Sequence, residues 1–166
     1  AAMNKRVLLI DLDPQGNATM GSGVDKHELT LSIYEVLTDQ AEATQAILTD
    51  LEVGCDLLGA NGDLTAAEVE LLDLARREFR LKMALMPVLD AYDYILIDNP
   101  PSLNLLTVNA LACSDGVIIP MQCEYYALEG ISALVGTIDR IQKRLNPKLK
   151  IEGILRTMFD PRMSLT

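Results

Sequence analysis

The sequence predicts an α/β fold, a mostly parallel sheet with helices on both faces. Three observations carry this. Short apolar runs recur at residues 7–10 ("VLLI"), 95–97 ("ILI") and 117–119 ("VII"). They lack the alternation of a half-exposed strand, as strands of a sheet covered on both sides do. Between them lie segments with apolar residues at three-to-four spacing, the mark of helices packed by one face. Two of the apolar runs end in aspartate, Asp11 and Asp98, and ligands of parallel α/β sheets bind beyond the carboxyl ends of the strands.

Taken in order, residues 7–10 form the first strand and residues 31–37 a short helix. Residues 55–58 form a strand closed by the turn-like "GANGD". Residues 64–72 and 78–89 carry helical spacing, and residues 95–97 return to a strand. "PPSLNLLTVNALACSD" opens on prolines and a serine, a suitable helix entry. After the strand at 117–119, a helix over 128–145 places Leu128, Ile131, Leu134, Val135, Ile138, Ile141 and Leu145 on one face. Asn146-Pro147 stops it, and residues 151–157 form the last strand. Strand–helix alternation of this kind implies layered α/β architecture. No repeat, low-complexity tract or linker divides the chain, so residues 1–166 read as a single domain. "AAMNKR" looks like the tail of a helix entering a strand, and "RMSLT" stops just after the last strand, so the domain reads as truncated at both ends.

Composition narrows the classes. With 49% apolar residues, two Phe, five Tyr and no Trp, the core is mainly aliphatic. The longest apolar runs fall far short of a membrane span, and no basic-then-apolar leader precedes Arg6. Cys55, Cys113 and Cys123 are odd in number and never spaced C-x-x-C, which reads as buried free thiols in a reducing, cytoplasmic compartment. A single histidine, His27, makes no zinc site alone. A net charge of −10 argues against a chain coated in basic surface for nucleic acid. The local cluster Lys143, Arg144, Lys148 and Lys150 reads as the solvated end of a helix.

The acids carry the chemistry. Asp13 lies two residues beyond Asp11, so in an extended chain both point to one side. Three carboxylates meeting in one crevice raise one another's pKa unless a cation sits among them. A hard cation held by oxygens and waters is Mg²⁺, which commonly accompanies phosphate. A receiver domain sets its acids much closer in sequence. A haloacid-dehalogenase-type phosphatase has an apolar strand ending in D-x-D-x-T/V. "LLIDLDPQ" nearly fits, but Gln15 replaces Thr or Val, and the later strand ends "IDNPPS" without a second acid. A P-loop ATPase has a Walker B strand ending in Asp, as in "YILID", and a G-x-x-x-x-G-K-[ST] loop. "GNATMGSG" (residues 16–23) keeps the two glycines but has Ser22 at the lysine position, a chance match.

Four segments, "KRVLLIDLDPQGNAT", "YDYILIDNPPSLNLLTVNAL", "VIIPMQCEYYALEGISAL" and "IEGILRTMFDPR", span nearly the whole chain. In them the sequence resembles the ParA/MinD group of deviant-Walker P-loop ATPases, most closely the chromosome- and plasmid-partitioning ParA branch. The resemblance implies a SIMIBI-like P-loop NTPase fold, incomplete here, with ATP and Mg²⁺ as cofactors. It implies that Asp13 orients the attacking water, that Asp11 supports the magnesium shell, and that Asp98 is the Walker B aspartate reaching the metal through water. It implies that Gln15, Gly16, Asn17 and Thr19, and Asn99, Pro100, Pro101 and Ser102, belong to two switch segments sensing the γ-phosphate. It further implies an ATP-driven homodimer that binds DNA without sequence preference, nucleoid association when ATP-bound, no membrane contact, and hydrolysis stimulated by a ParB-like partner. Arg162, in "DPR", matches a position of DNA contact.

The sequence departs from the family pattern at Asn99, where Cys is usual, at Asn104, where Gly is usual, and at Arg156, where an aliphatic residue is usual. The family's K-G-G-V-G-K-T-T loop, its first strand and a C-terminal third are absent from these residues. That first strand is normally central, so its neighbours are expected to expose their edges. The chain alone is accordingly expected to be poorly stable and inactive toward ATP. Two alternatives are a non-hydrolysing interaction module that pairs with a full-length partner, and the phosphatase using Asp11 and Asp13.

Overall fold

The computed structural model describes residues 4–100, 102–122 and 127–158. The chain divides into two compact units, Ala1–Ala110 and Leu111–Thr166. Among the described residues the first unit holds four strands: β1 (Val7–Asp11), β2 (Ile47–Leu48), β3 (Asp56–Leu58) and β4 (Tyr94–Asp98). Their order across the sheet is β2-β3-β1-β4. β1 runs parallel to both β3 and β4, and only β2 is antiparallel. The register pairs Asp11 with Asp98 at the carboxyl ends of β1 and β4, so these two acids are neighbours because of sheet alignment and not sequence proximity.

Aliphatic side chains fill this unit. Leu8 and Ile10 of β1 and Leu57 and Leu58 of β3 are wholly buried. So are Leu37, Leu64, Leu71 and Leu81, from the segments that connect the strands. The helix α1 (Asn17–Gly21) follows β1 closely, and α2 (Ile33–Leu37) begins at Ser32. Ser32 Oγ accepts the Tyr34 amide at 3.1 Å while Glu35 accepts the Ser32 amide at 2.7 Å, a reciprocal cap. α2 packs against α3 (Ala43–Ala46), α4 (Leu64–Glu70) and α5 (Arg80–Leu85).

The helix expected over residues 78–89 is instead three pieces: a 3₁₀ turn at Arg77–Phe79, α5, and a second 3₁₀ segment at Met86–Ala91. Pro87 has no amide to give to a continuing α-helix, which accounts for the break after α5. α1, α3 and β2 are additions to the predicted set. They span four or five residues for the helices and two for the strand, too short to show a period.

α6 (Leu105–Cys113) follows β4. The second unit contains β5 (Gly116–Gln122), α7 (Ala127–Arg144) and β6 (Lys150–Thr157). β5 and β6 are parallel, joined through α7, a β-α-β unit. Among the described residues of the second unit, Leu111, Ala112, Ile119, Ile138, Ile141 and Leu149 are buried. Asn146, predicted as a helix stop, donates to the carbonyls of Leu111 (2.9 Å) and Ser114 (2.7 Å), which ties the helix exit to the chain before β5.

Burial of β4 and β5 differs from the sequence expectation. Tyr94 and Leu96 are 58% and 54% exposed, and Ile118 is 61% exposed. The physical reason is pairing: among the described residues β4 pairs only with β1 and β5 only with β6. Each is an edge strand whose apolar side chains lack a neighbour on one side. Cys55 and Cys113 are half-buried, short of the burial the sequence led us to expect.

Candidate functional site

The site grows from the carboxyl end of β1. The Leu12 amide donates to the Asp98 carbonyl at 2.8 Å, so pairing with β4 continues one residue past the strand. "DPQG" then turns the chain. The Gly16 amide donates to the Asp13 carbonyl at 2.8 Å, and the Gln15 amide to Asp13 Oδ1 at 2.9 Å. Asp first, Pro second and Gly fourth is the composition of a β-turn, each residue favoured at its place. Gly16 has φ of +65°, and a Cβ there would lie 2.8 Å from the Ala60 carbonyl oxygen and 2.8 Å from Lys26 Cδ. Only glycine fits both the conformation and the space.

Asp11 is wholly buried. Its Oδ1 accepts the Asp13 amide at 3.1 Å, and its Oδ2 accepts the amide and the hydroxyl of Thr19, each at 2.7 Å. The carboxylate thus satisfies an amide at the start of α1 that the helix itself leaves unpaired. Three hydrogen bonds compensate for its burial. Asp13 is half-buried, and among the described residues only its Oδ1 has a hydrogen bond.

Asp98 keeps exposed surface, yet its carboxyl is pushed above the ordinary value of 3.8, first by partial withdrawal from water and then by the charges of Asp11 and Asp13. Asp98 is thus close enough to Asp11 and Asp13 to feel their charge. Beside them, Asn99 Nδ2 donates to the Ile97 carbonyl at 3.1 Å, while its Oδ1 is buried without a hydrogen-bond partner among the described residues. The surroundings are acidic and hold a buried acceptor without a donor, but among the described residues no group of three or more acids, histidines or cysteines could hold a metal ion directly.

The remaining predicted residues sort by place. Gln15, Gly16, Asn17 and Thr19 form the turn and the first turn of α1. Asn99 and Pro100 follow β4, and the Ser102 carbonyl accepts the Thr107 hydroxyl at 2.6 Å. Pro101 and Arg162 lie outside the described residues. Asn104 has a local reason: its Oδ1 accepts the Thr107 amide at 3.1 Å, capping α6. Arg156 lies on an exposed position of β6. Lys143 pairs with Asp139 at 2.7 Å one helical turn away on α7, in keeping with a solvated helix end. The stretch 16–23 forms α1 and its ends, with the Ser22 hydroxyl donating to the Ala18 carbonyl at 2.8 Å.

Sequence reasoning missed Lys26, whose ammonium donates to the Gln15 carbonyl, and Gly59-Ala60 at the end of β3, on which the turn rests. The D-P-x-G composition was the available signal for the turn. No signal in one sequence marks a lysine eleven residues from its carbonyl partner.

Comparison with known proteins identifies the family. A family described as an AAA domain, AAA_31, matches residues 1–151. The sporulation initiation inhibitor protein Soj of Bacillus subtilis is 51% identical over 165 residues, covering 99% of this chain and 65% of that protein. The chromosome partitioning protein ParA of Myxococcus xanthus is 52% identical over 166 residues, covering 99% of this chain and 58% of that one. A crystal structure described as cobyrinic acid a,c-diamide synthase from Mycobacterium smegmatis, with a bound ATP analog and magnesium, superposes with a TM-score of 0.94 at 42% identity, over 98% of this chain and 66% of that one. The chain spans 50–65% of the length of the curated relatives it matches. These matches run through the strands and turns that gather Asp11, Asp13 and Asp98, and the chain belongs to the ParA/Soj family of P-loop partitioning ATPases.

Proposed function

We propose that these residues form the water-activating and metal-facing half of a Mg·ATP site in a partitioning ATPase. The observation that carries the reading is the pairing of Asp11 with Asp98 at adjacent strand ends, with Asp13 just beyond, where partial burial and then the charges of Asp11 and Asp13 raise the Asp98 pKa. Bound magnesium would supply the missing positive charge and polarise phosphate oxygens. Asp98 would face it through water, and Asn99 Oδ1 would accept a hydrogen bond from its hydration shell. Asp11 would lend charge from a fixed, buried position. Asp13, fixed through Oδ1 by its own turn, would present Oδ2 to the attacking water and hold it in line. Phosphoryl transfer asks mainly for such positioning and electrostatics.

In this reading ATP binding drives a homodimer that binds DNA without sequence preference, and a ParB-like protein stimulates hydrolysis. Gln15–Thr19 and Asn99–Ser102 report the γ-phosphate, Arg162 contacts DNA, and the ATP-bound dimer associates with the nucleoid. Residues 1–166 include no lysine-bearing phosphate loop, so this segment alone is expected not to turn over ATP. Burial of Asp11, with both oxygens hydrogen-bonded, speaks against the phosphatase alternative, whose nucleophile must reach substrate. The test is retention of the natural-length protein on duplex DNA of arbitrary sequence. Retention should require ATP and be lost when a ParB-like partner is added. Retention that ignores nucleotide would overturn the proposal.

A further inference from the structure

Thr19 is as deeply enclosed as any polar residue near the acids, with no exposed surface. Its hydroxyl proton is committed to Asp11 Oδ2 at 2.7 Å, and its oxygen accepts the Ala60 amide at 2.9 Å. A continuous path of bonds therefore runs from the Ala60 amide, at the end of β3, through the Thr19 hydroxyl and the Asp11 carboxylate to the Asp13 amide. The same backbone seats the turn by contact. A Cβ on Gly16 would meet the Ala60 oxygen, and a Cβ on Gly59 would lie 3.2 Å from Thr19 Cγ2. Thr19 has no surface with which to touch a phosphate. What it touches is the carboxylate that holds Asp13.

We propose that Thr19 is a positioning residue: its hydroxyl locks Asp11 between the ends of β1 and β3, and Asp11 in turn fixes where Asp13 presents its carboxylate. Its part in the switch segment is thus indirect. This rests on the reading of Asp13 as the water-orienting acid.

The experiment measures steady-state ATP turnover with Mg²⁺ in the natural-length protein for wild type, Thr19→Val, Thr19→Ser and Asp13→Ala. Valine removes the hydroxyl at nearly constant volume, and serine keeps it. Misplacing a reacting group by an ångström or less costs about 10- to 100-fold, so Thr19→Val should lower kcat by that factor. Its KM for ATP should stay within about twofold, since a group acting only after binding leaves ground-state affinity alone. Thr19→Ser should restore kcat to within about threefold of wild type. If Thr19→Val does not fold, Thr19→Ala removes the same hydroxyl without added bulk and carries the same expectation. Wild-type kcat in the folded valine or alanine variant overturns the proposal. So does a serine variant as slow as valine, or a raised KM with unchanged kcat. An inert wild type, or an Asp13→Ala variant that keeps turnover, means instead that the reading of Asp13 has failed, and the Thr19 proposal falls with it.

Discussion

Asp98 stores a tension that pH should reveal. Its carboxyl binds a proton more tightly in the folded chain than in the unfolded one, because of partial burial and the charges of Asp11 and Asp13. A raised carboxyl pKa contributes stability that is fully present below the unfolded value of 3.8 and is lost as pH rises through the folded value. Replacing Asp98 by Asn removes that loss. We expect Asp98→Asn to unfold at a higher temperature than wild type at pH 7 without metal, with the difference shrinking as pH approaches 3.8; equal melting across this range would contradict the assignment. The acids themselves were legible in the sequence, because continuous apolar strands ending in Asp locate a parallel sheet's ligand edge. The bonds that hold Asp11 were not. Its links to Thr19 and Asp13 are set by a turn and by β3, which only three-dimensional pairing brings together.

At the scale of elements, one buried side chain joins three segments. Asn109 of α6 has no exposed surface; its Oδ1 accepts the Leu81 amide at 3.1 Å, and its Nδ2 donates to the carbonyls of Arg77 (2.8 Å) and Leu105 (3.0 Å). It thereby repairs the backbone where the predicted helix over 78–89 breaks up. Asn109→Ala leaves the buried Leu81 amide and Arg77 carbonyl without these bonds and should cost about 1–3 kcal/mol in urea denaturation. A loss below about 0.5 kcal/mol would mean water replaces them. Long, strongly periodic elements such as α7 were readable from residue type, as was the strand core of β1. The fragments Arg77–Phe79, α5 and Met86–Ala91 were not, because their ends are decided by Pro87 and by Asn109, the latter from a distant helix. β2 escaped for a related reason: its two residues are a strand only through antiparallel pairing with β3.

At the scale of the whole molecule, the family's sheet predicts what the isolated chain should do. β4 presents an edge without a partner among the described residues, carrying exposed Tyr94 and Leu96. Such an edge invites strand addition from another chain. We expect the 166-residue chain to self-associate at micromolar concentration in light scattering, and Leu96→Lys to reduce this by placing charge on the edge. A monodisperse wild type would show the edge to be covered. The central claim is that Asp13 positions the attacking water of an ATPase, and single-turnover ATP hydrolysis in the natural-length protein tests it most directly. Wild type should hydrolyse ATP only with Mg²⁺, while Asp13→Ala should bind ATP and fail to hydrolyse it, slowed by about 100-fold or more. Hydrolysis at the wild-type rate by Asp13→Ala would contradict the account.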